Sequence, residues 1–120
     1  MITTQLKKSF QLARSRGNID LIFRPFIEAH LHAVTKGIGS QGRPLFFAQQ
    51  CPDLHGFCVT VSESVELLKP IPNVVLLEIS GKELLESLDP TLGIVIVYVD
   101  GGDYLSREEL DWFRSLRLTS

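Results

Sequence analysis

The chain has 120 residues, 44% of them apolar and 22% charged, with a formal net charge of −2. That length suits one domain with a single core, and that composition excludes a disordered chain. The mild negative charge argues against nucleic acid as a partner, because a phosphate backbone demands a clustered basic face.

No basic stretch leading into an apolar one follows Met1, so no secretory leader is expected. No run approaches the about 18 apolar residues of a membrane-spanning helix, and no membrane partner is expected. Two cysteines make no disulfide scaffold in a chain of this size. A cytoplasmic, reduced protein is the resulting expectation. Basic residues (Lys7, Lys8, Arg14, Arg16, Arg24, Lys36, Arg43) lie mostly in the first third and acidic ones mostly after Glu63. Such polarity can steer a partner.

In chain order, Leu6, Phe10 and Ala13 recur at helical spacing, so Thr3–Ser15 reads as an amphipathic helix with one narrow apolar stripe. Thr3 or Thr4 supplies its N-cap and Gly17 its stop. The stripe serves to dock the helix on the core or on a second subunit, which makes homo-oligomerisation through this helix an expectation. Asn18 caps a second helical segment with Ile19, Ile22, Phe23, Phe26 and Ile27 on one face. Pro25 divides it, and a new helix starting at Pro25 is the preferred reading. Leu31–Thr35 reads as a strand, and Lys36–Arg43, with three glycines, as a surface loop.

Pro44–Gln49 and Phe57–Val61 read as two strands of an antiparallel hairpin, joined by the turn-rich Cys51–Gly56. Ser62–Leu68 reads as a short helix ended by Lys69, Pro70 and Pro72. Val74–Ile79 is apolar enough for a strand covered on both faces. Ser80 and Glu83 form an S-x-x-E capping box, with Leu84, Leu85 and Leu88 as the buried helix face. Gly93–Val99, continuously apolar and rich in β-branched residues, reads as the central strand. Ser106 and Glu109 form a second capping box, with Leu110 and Phe113 facing inward. Helices between strands imply crossovers. The expected fold is therefore α+β: a central mixed sheet of about five strands carrying helices, in one domain over residues 1–120 with the N-terminal helix at 1–17.

Candidate chemistry is sparse. Cys51, His55 and Cys58 cluster in sequence, but the two cysteines lie across a hairpin instead of in a tight zinc knuckle, so no metal or other cofactor is expected. The turn Asp100-Gly101-Gly102-Asp103 is the best-placed candidate site, because ligands in open sheets gather beyond the carboxyl ends of parallel strands and glycines admit close approach. The competing reading is a strand-to-helix turn whose glycines take positive φ. Trp112, one position off the inner face of the last helix, is a candidate anchor for a protein partner or an edge of the core. No catalytic constellation assembles, so no enzymatic activity is predicted.

Arg24-Pro25-Phe26-Ile27-Glu28-Ala29 with the following Leu31–Val34 strand, Thr60-Val61-Ser62-Glu63, Ile79-Ser-Gly-Lys-Glu-Leu-Leu85 and Leu105-Ser-Arg-Glu-Glu-Leu110 together resemble, in order and spacing, the SseB-like family (enhanced serine sensitivity protein, N-terminal domain). The likeness runs from about Arg24 to Phe113. It departs where the family carries Asn-Pro-Gly after its glycine-led strand, since this chain has Val97-Tyr98-Val99-Asp100-Gly101-Gly102. No role of that asparagine carries over. The resemblance implies a bacterial α+β domain without catalytic residues. The expected function is non-enzymatic binding of a protein partner. Two alternatives are a small-ligand or metal-dependent sensor or enzyme, and a secretion chaperone or toxin-neutralising protein.

Overall fold

A computed structural model describes residues 4–50 and 56–119, with side chains as far as residue 116. The fold is α+β. Among the described residues, four α-helices, α1 (Gln5–Arg16), α2 (Asp20–Ile27), α3 (Gly81–Ser87) and α4 (Arg107–Thr119), accompany a mixed sheet of seven strands. The strands are β1 (His30–Ile38), β2 (Pro44–Phe46), β3 (Ala48–Gln50), β4 (Phe57–Ser62), β5 (Val75–Ser80), β6 (Gly93–Tyr98) and β7 (Gly101–Leu105).

The main path across the sheet is β5-β1-β4-β6-β7, and β4 with β6 is the parallel pair. β1 and β4 pair only at His32–Ser62 and Ala33–Val61 before diverging. The segment 44–50 fills the gap, first along β1 as β2 and then along β4 as β3. The single strand expected over Pro44–Gln49 is thus broken at Phe47, whose N–H donates to the Val34 carbonyl at 3.0 Å. That break and β7 account for seven strands where five were expected.

Alternation decides the layers. Leu31 and Ala33, Val59 and Val61, Ile94 and Ile96, with Ile79 and Leu105, form the strand side of one core. All four helices contribute to the same cluster: Leu6, Phe10 and Ala13 from α1, Ile22 and Phe26 from α2, Leu84 and Leu85 from α3, Leu110 and Phe113 from α4. The apolar stripe of α1 is thereby used inside the chain. On the other sheet face Val34 and Cys58 are buried, and Thr60, Val95 and Val97 are partly covered.

Local rules hold at the helix ends. Thr4 caps α1, accepting from the Lys7 N–H at 3.3 Å, and Gly17 closes it at φ 64°. The Ser80–Glu83 box is complete, and at α4 Ser106 N donates to Glu109 Oε1 (2.9 Å) while Glu109 N donates to Ser106 Oγ (3.1 Å).

Three expectations need correction. Pro25 does not open a new helix. It lies inside α2, where it forfeits one intrahelical bond, and burial of Ile22 and Phe26 holds the short helix together. Ser62–Leu68 is not an α-helix: Ser62 belongs to β4, its Oγ accepts from Ser64 N and donates to the Val97 carbonyl, and only a 3-10 turn forms at Val65–Leu67. The strand from Val75 is not covered on both faces. Val75 (52% exposed) and Glu78, on opposite faces, both stay exposed, and among the described residues the strand pairs only with β1, as an edge.

Candidate functional site

The carboxyl ends of β4 and β6 lie side by side, and the first turn of α1 is set beside them. Between them is a cleft of about 190 Å³ lined by Thr4, Lys7, Glu63, Leu67, Tyr98 and Asp100, with Ser62, Ser64, Val97 and Val99 completing the wall. An open sheet leaves a crevice for a ligand beyond the carboxyl ends of parallel strands, and here the start of α1 supplies a further wall through Thr4 and Lys7.

Most polar groups that line the cleft are held by a neighbour. Ser62, buried at the end of β4, donates its Oγ to the Val97 carbonyl at 2.8 Å and so ties the two parallel strand ends together. Thr4 Oγ1 donates to Glu63 Oε1 at 2.7 Å, joining the start of α1 to the chain just after β4. Lys7, in the first turn of α1, has a side chain only 18% exposed. Its ammonium pairs with the Asp100 carboxylate and sits 5.3 Å above the centre of the Tyr98 ring. The hydrogen bond from Lys7 holds the Asp100 carboxyl below the usual carboxylate range. The Tyr98 hydroxyl is buried without a hydrogen bond of normal geometry among the described residues. Burial first, and then the neighbouring Asp103 carboxylate, push its pKa far up, so it stays protonated.

The turn Asp100–Asp103 is not a strand-to-helix connection. It belongs to a tight β6–β7 hairpin, in which Tyr98 pairs with Gly101 and Val97 with Gly102. Both glycines have structural reasons. Gly101 sits at φ 145°, and a Cβ at Gly102 would stand 2.8 Å from the Ile96 carbonyl oxygen. The two carboxylates do not converge: Asp100 meets Lys7, while Asp103 acts on Tyr98 and Arg14. Of the four turn residues, only Asp100 lines the cleft.

Trp112 stands elsewhere. It is 45% exposed on α4, and its indole N–H donates to Asp20 at the start of α2. It therefore bridges two helices and takes no part in the cleft. Cys51 and His55 lie outside the described residues. Cys58 is buried in β4, with its thiol 3.6 Å from the Gln49 carbonyl oxygen, and among the described residues no group of histidine, cysteine and carboxylate side chains is arranged to hold a metal ion.

Lys7, Thr4, Glu63, Tyr98 and Val99 were not among the site residues expected from the sequence. Lys7 and Asp100 are 93 positions apart and Thr4 and Glu63 are 59 apart, so no local pattern announces them. The usable signal was topological, since Ser62-Glu63 and Tyr98-Val99 each follow a β-rich run. The charge polarity of the chain also finds an internal use here: early bases Lys7 and Arg14 pair with late acids Asp100 and Glu109.

That second pair supports a pH prediction. Arg14 bonds Glu109 at 2.7 Å and also donates to the Tyr104 carbonyl at 2.6 Å. Burial pushes the Glu109 carboxyl up, but the bond from Arg14, the Ser106 N–H and the Arg14 charge together outweigh it and leave the carboxyl below its ordinary value. A carboxyl depressed in the folded state adds stability above its unfolded pKa, and that stability is lost as pH falls through the folded value. Urea midpoints are therefore expected to hold steady near neutrality and to fall below about pH 4. Glu109→Gln should lower the neutral-pH midpoint and flatten the acid limb; an unchanged acid limb would show that the pair contributes nothing.

Comparison with protein-family models, with curated proteins and with solved structures finds no match.

Proposed function

We propose that the chain is a binding domain that works through a protein partner, with the cleft at the ends of β4 and β6 as its recognition surface. The observation that carries this reading is Val99. It stands 70% exposed at the tip of the β6–β7 hairpin, at the mouth of a cleft whose wall includes Val97 and Leu67. Lys7, Glu63 and Asp100 surround that apolar centre with charge. An apolar centre with a charged rim is the anatomy of a protein interface.

Size favours the same choice. Pockets that hold cofactors and small substrates run to roughly 300–1,000 Å³. A cleft of about 190 Å³ suits one inserted side chain. A non-catalytic bacterial role of the SseB-like type, in the cytoplasm, is part of the proposal, and its support is the motif order from Arg24 to Phe113.

The test compares what immobilised variants retain from a native lysate. Val99→Asp, on an exposed turn, should leave the fold intact and abolish retention of a specific protein. Trp112→Ala, away from the cleft, should retain it. Retention untouched by Val99→Asp, or no specific protein retained by the unaltered chain, would remove the cleft from consideration.

A further inference from the structure

The two edges of the sheet are finished differently. At β7 the Tyr104 carbonyl points away from the sheet, and the Arg14 guanidinium, itself anchored on Glu109, caps it at 2.6 Å. That is how a protein blunts an edge against unwanted strands. β5, at the other edge, has no such cover among the described residues.

Hydrogen-bond parity shows which groups of β5 are left over. β5 pairs with β1 so that Leu77 faces Ala33 and Ile79 faces Leu31. The bond from Gly81 N to the Ala29 carbonyl (3.0 Å) continues that ladder and marks the odd-numbered β5 residues as the ones bonded to β1. Phe47 N, bonding the Val34 carbonyl from the opposite side of β1, agrees with this parity. Leu76, Glu78 and Ser80 therefore direct their backbone groups outward. The Ser80 N–H is taken by Glu83 of the capping box. At Leu76 and Glu78, N–H and C=O meet no backbone partner among the described residues. The strand carries no lysine or proline, and its single charge is Glu78.

We propose that β5 pairs antiparallel with β5 of a second copy, making one continuous sheet across a two-fold axis at Leu77. What completes a row of outward amides is another extended backbone, and the side-chain pattern selects this chain's own. With Leu77 opposite Leu77 of the second copy, Leu76 and Glu78 exchange four backbone hydrogen bonds with their counterparts. On the core face every cross-strand pair is apolar: Val75 with Ile79, Leu77 with Leu77, Ile79 with Val75. This register covers the exposed Val75. Centring the axis on Glu78 instead would oppose two like charges, which is unfavourable. The surface is separate from the cleft, two strands away across β1 and β4.

The test is the mass of the whole chain in solution, by light scattering or sedimentation over a range of concentrations. The unaltered chain should approach twice 13.4 kDa as concentration rises. Leu76→Pro removes an outward N–H and no bond to β1, so it should fold and stay monomeric, whereas Leu77→Pro should lose the fold. Val75→Lys, at an exposed site, should likewise give monomer and guards against misfolding of the proline variant. Leu77→Cys should lock the dimer under mild oxidation, because directly opposed residues of a non-hydrogen-bonded pair lie within disulfide reach. The unaltered chain and Glu78→Cys should not become linked. A chain that remains monomeric at millimolar concentration, or a dimer that persists in Leu76→Pro and Val75→Lys, would overturn the proposal. So would a dimer in which Leu77→Cys fails to cross-link.

Discussion

Gly81→Ala is expected to cost about 3 kcal/mol or more, a large share of the about 5–15 kcal/mol that holds a domain folded. By helix propensity alone the substitution should help, since alanine is favoured over glycine by about 1 kcal/mol within a helix. Geometry reverses the sign. A Cβ at position 81 would stand 1.7 Å from the Phe26 carbonyl oxygen and 2.6 Å from its carbon. Both are backbone atoms, so no side-chain rotation relieves the clash. The same glycine donates its N–H to the Ala29 carbonyl at 3.0 Å, which pins the start of α3 to the chain leaving α2. Separating the two would open the core beneath Phe26, Leu84 and Leu85. Urea titration of the two proteins side by side measures this. A Gly81→Ala protein as stable as the parent would mean that α2 and α3 do not meet as described.

Phe113→Ala should be comparably damaging, at about 3–5 kcal/mol. Phe113 is fully buried where α4 reaches the core. Its ring meets Phe23 edge-on at 5.5 Å and Phe26 at 6.0 Å, so its removal leaves a cavity shared by α2 and α4. Little can collapse into that space, because the next residue also fixes α4: Arg114 donates to the Leu85 and Leu88 carbonyls at 3.1 and 3.3 Å. Phe113→Leu, which keeps most of the volume, should cost far less. Equal losses for the two variants in urea titration would mean that the ring is not enclosed.

These two positions show what a sequence reveals and what it conceals. Phe113 was identifiable because it follows a capping box at helical spacing from Leu110. Likewise the Ser80–Glu83 box, the α1 stripe and the central β6 strand each rest on residues within a few positions of one another. Gly81 carried no such sign, since the reason for it is a carbonyl 55 residues earlier in the chain (81 − 26). β7 was missed because Gly-Gly-Asp has poor strand propensity, and the neighbouring β6 dictates its conformation. β5 misled for the opposite reason: its composition suits an interior strand, yet the topology places it at an edge. The cleft belongs with Gly81. Its key pair, Lys7 and Asp100, exists only because α1 lies across the ends of strands that come much later.

The most direct test of the proposed recognition surface is site-specific photo-crosslinking in living cells, with a photoreactive side chain at position 99 and, as a control, at the exposed Phe57. The prediction is one discrete cross-linked protein from position 99, absent from position 57 and lost when Asp100→Lys reverses the charge beside Lys7. Equal cross-linking from both positions, or a product unaffected by Asp100→Lys, would contradict it.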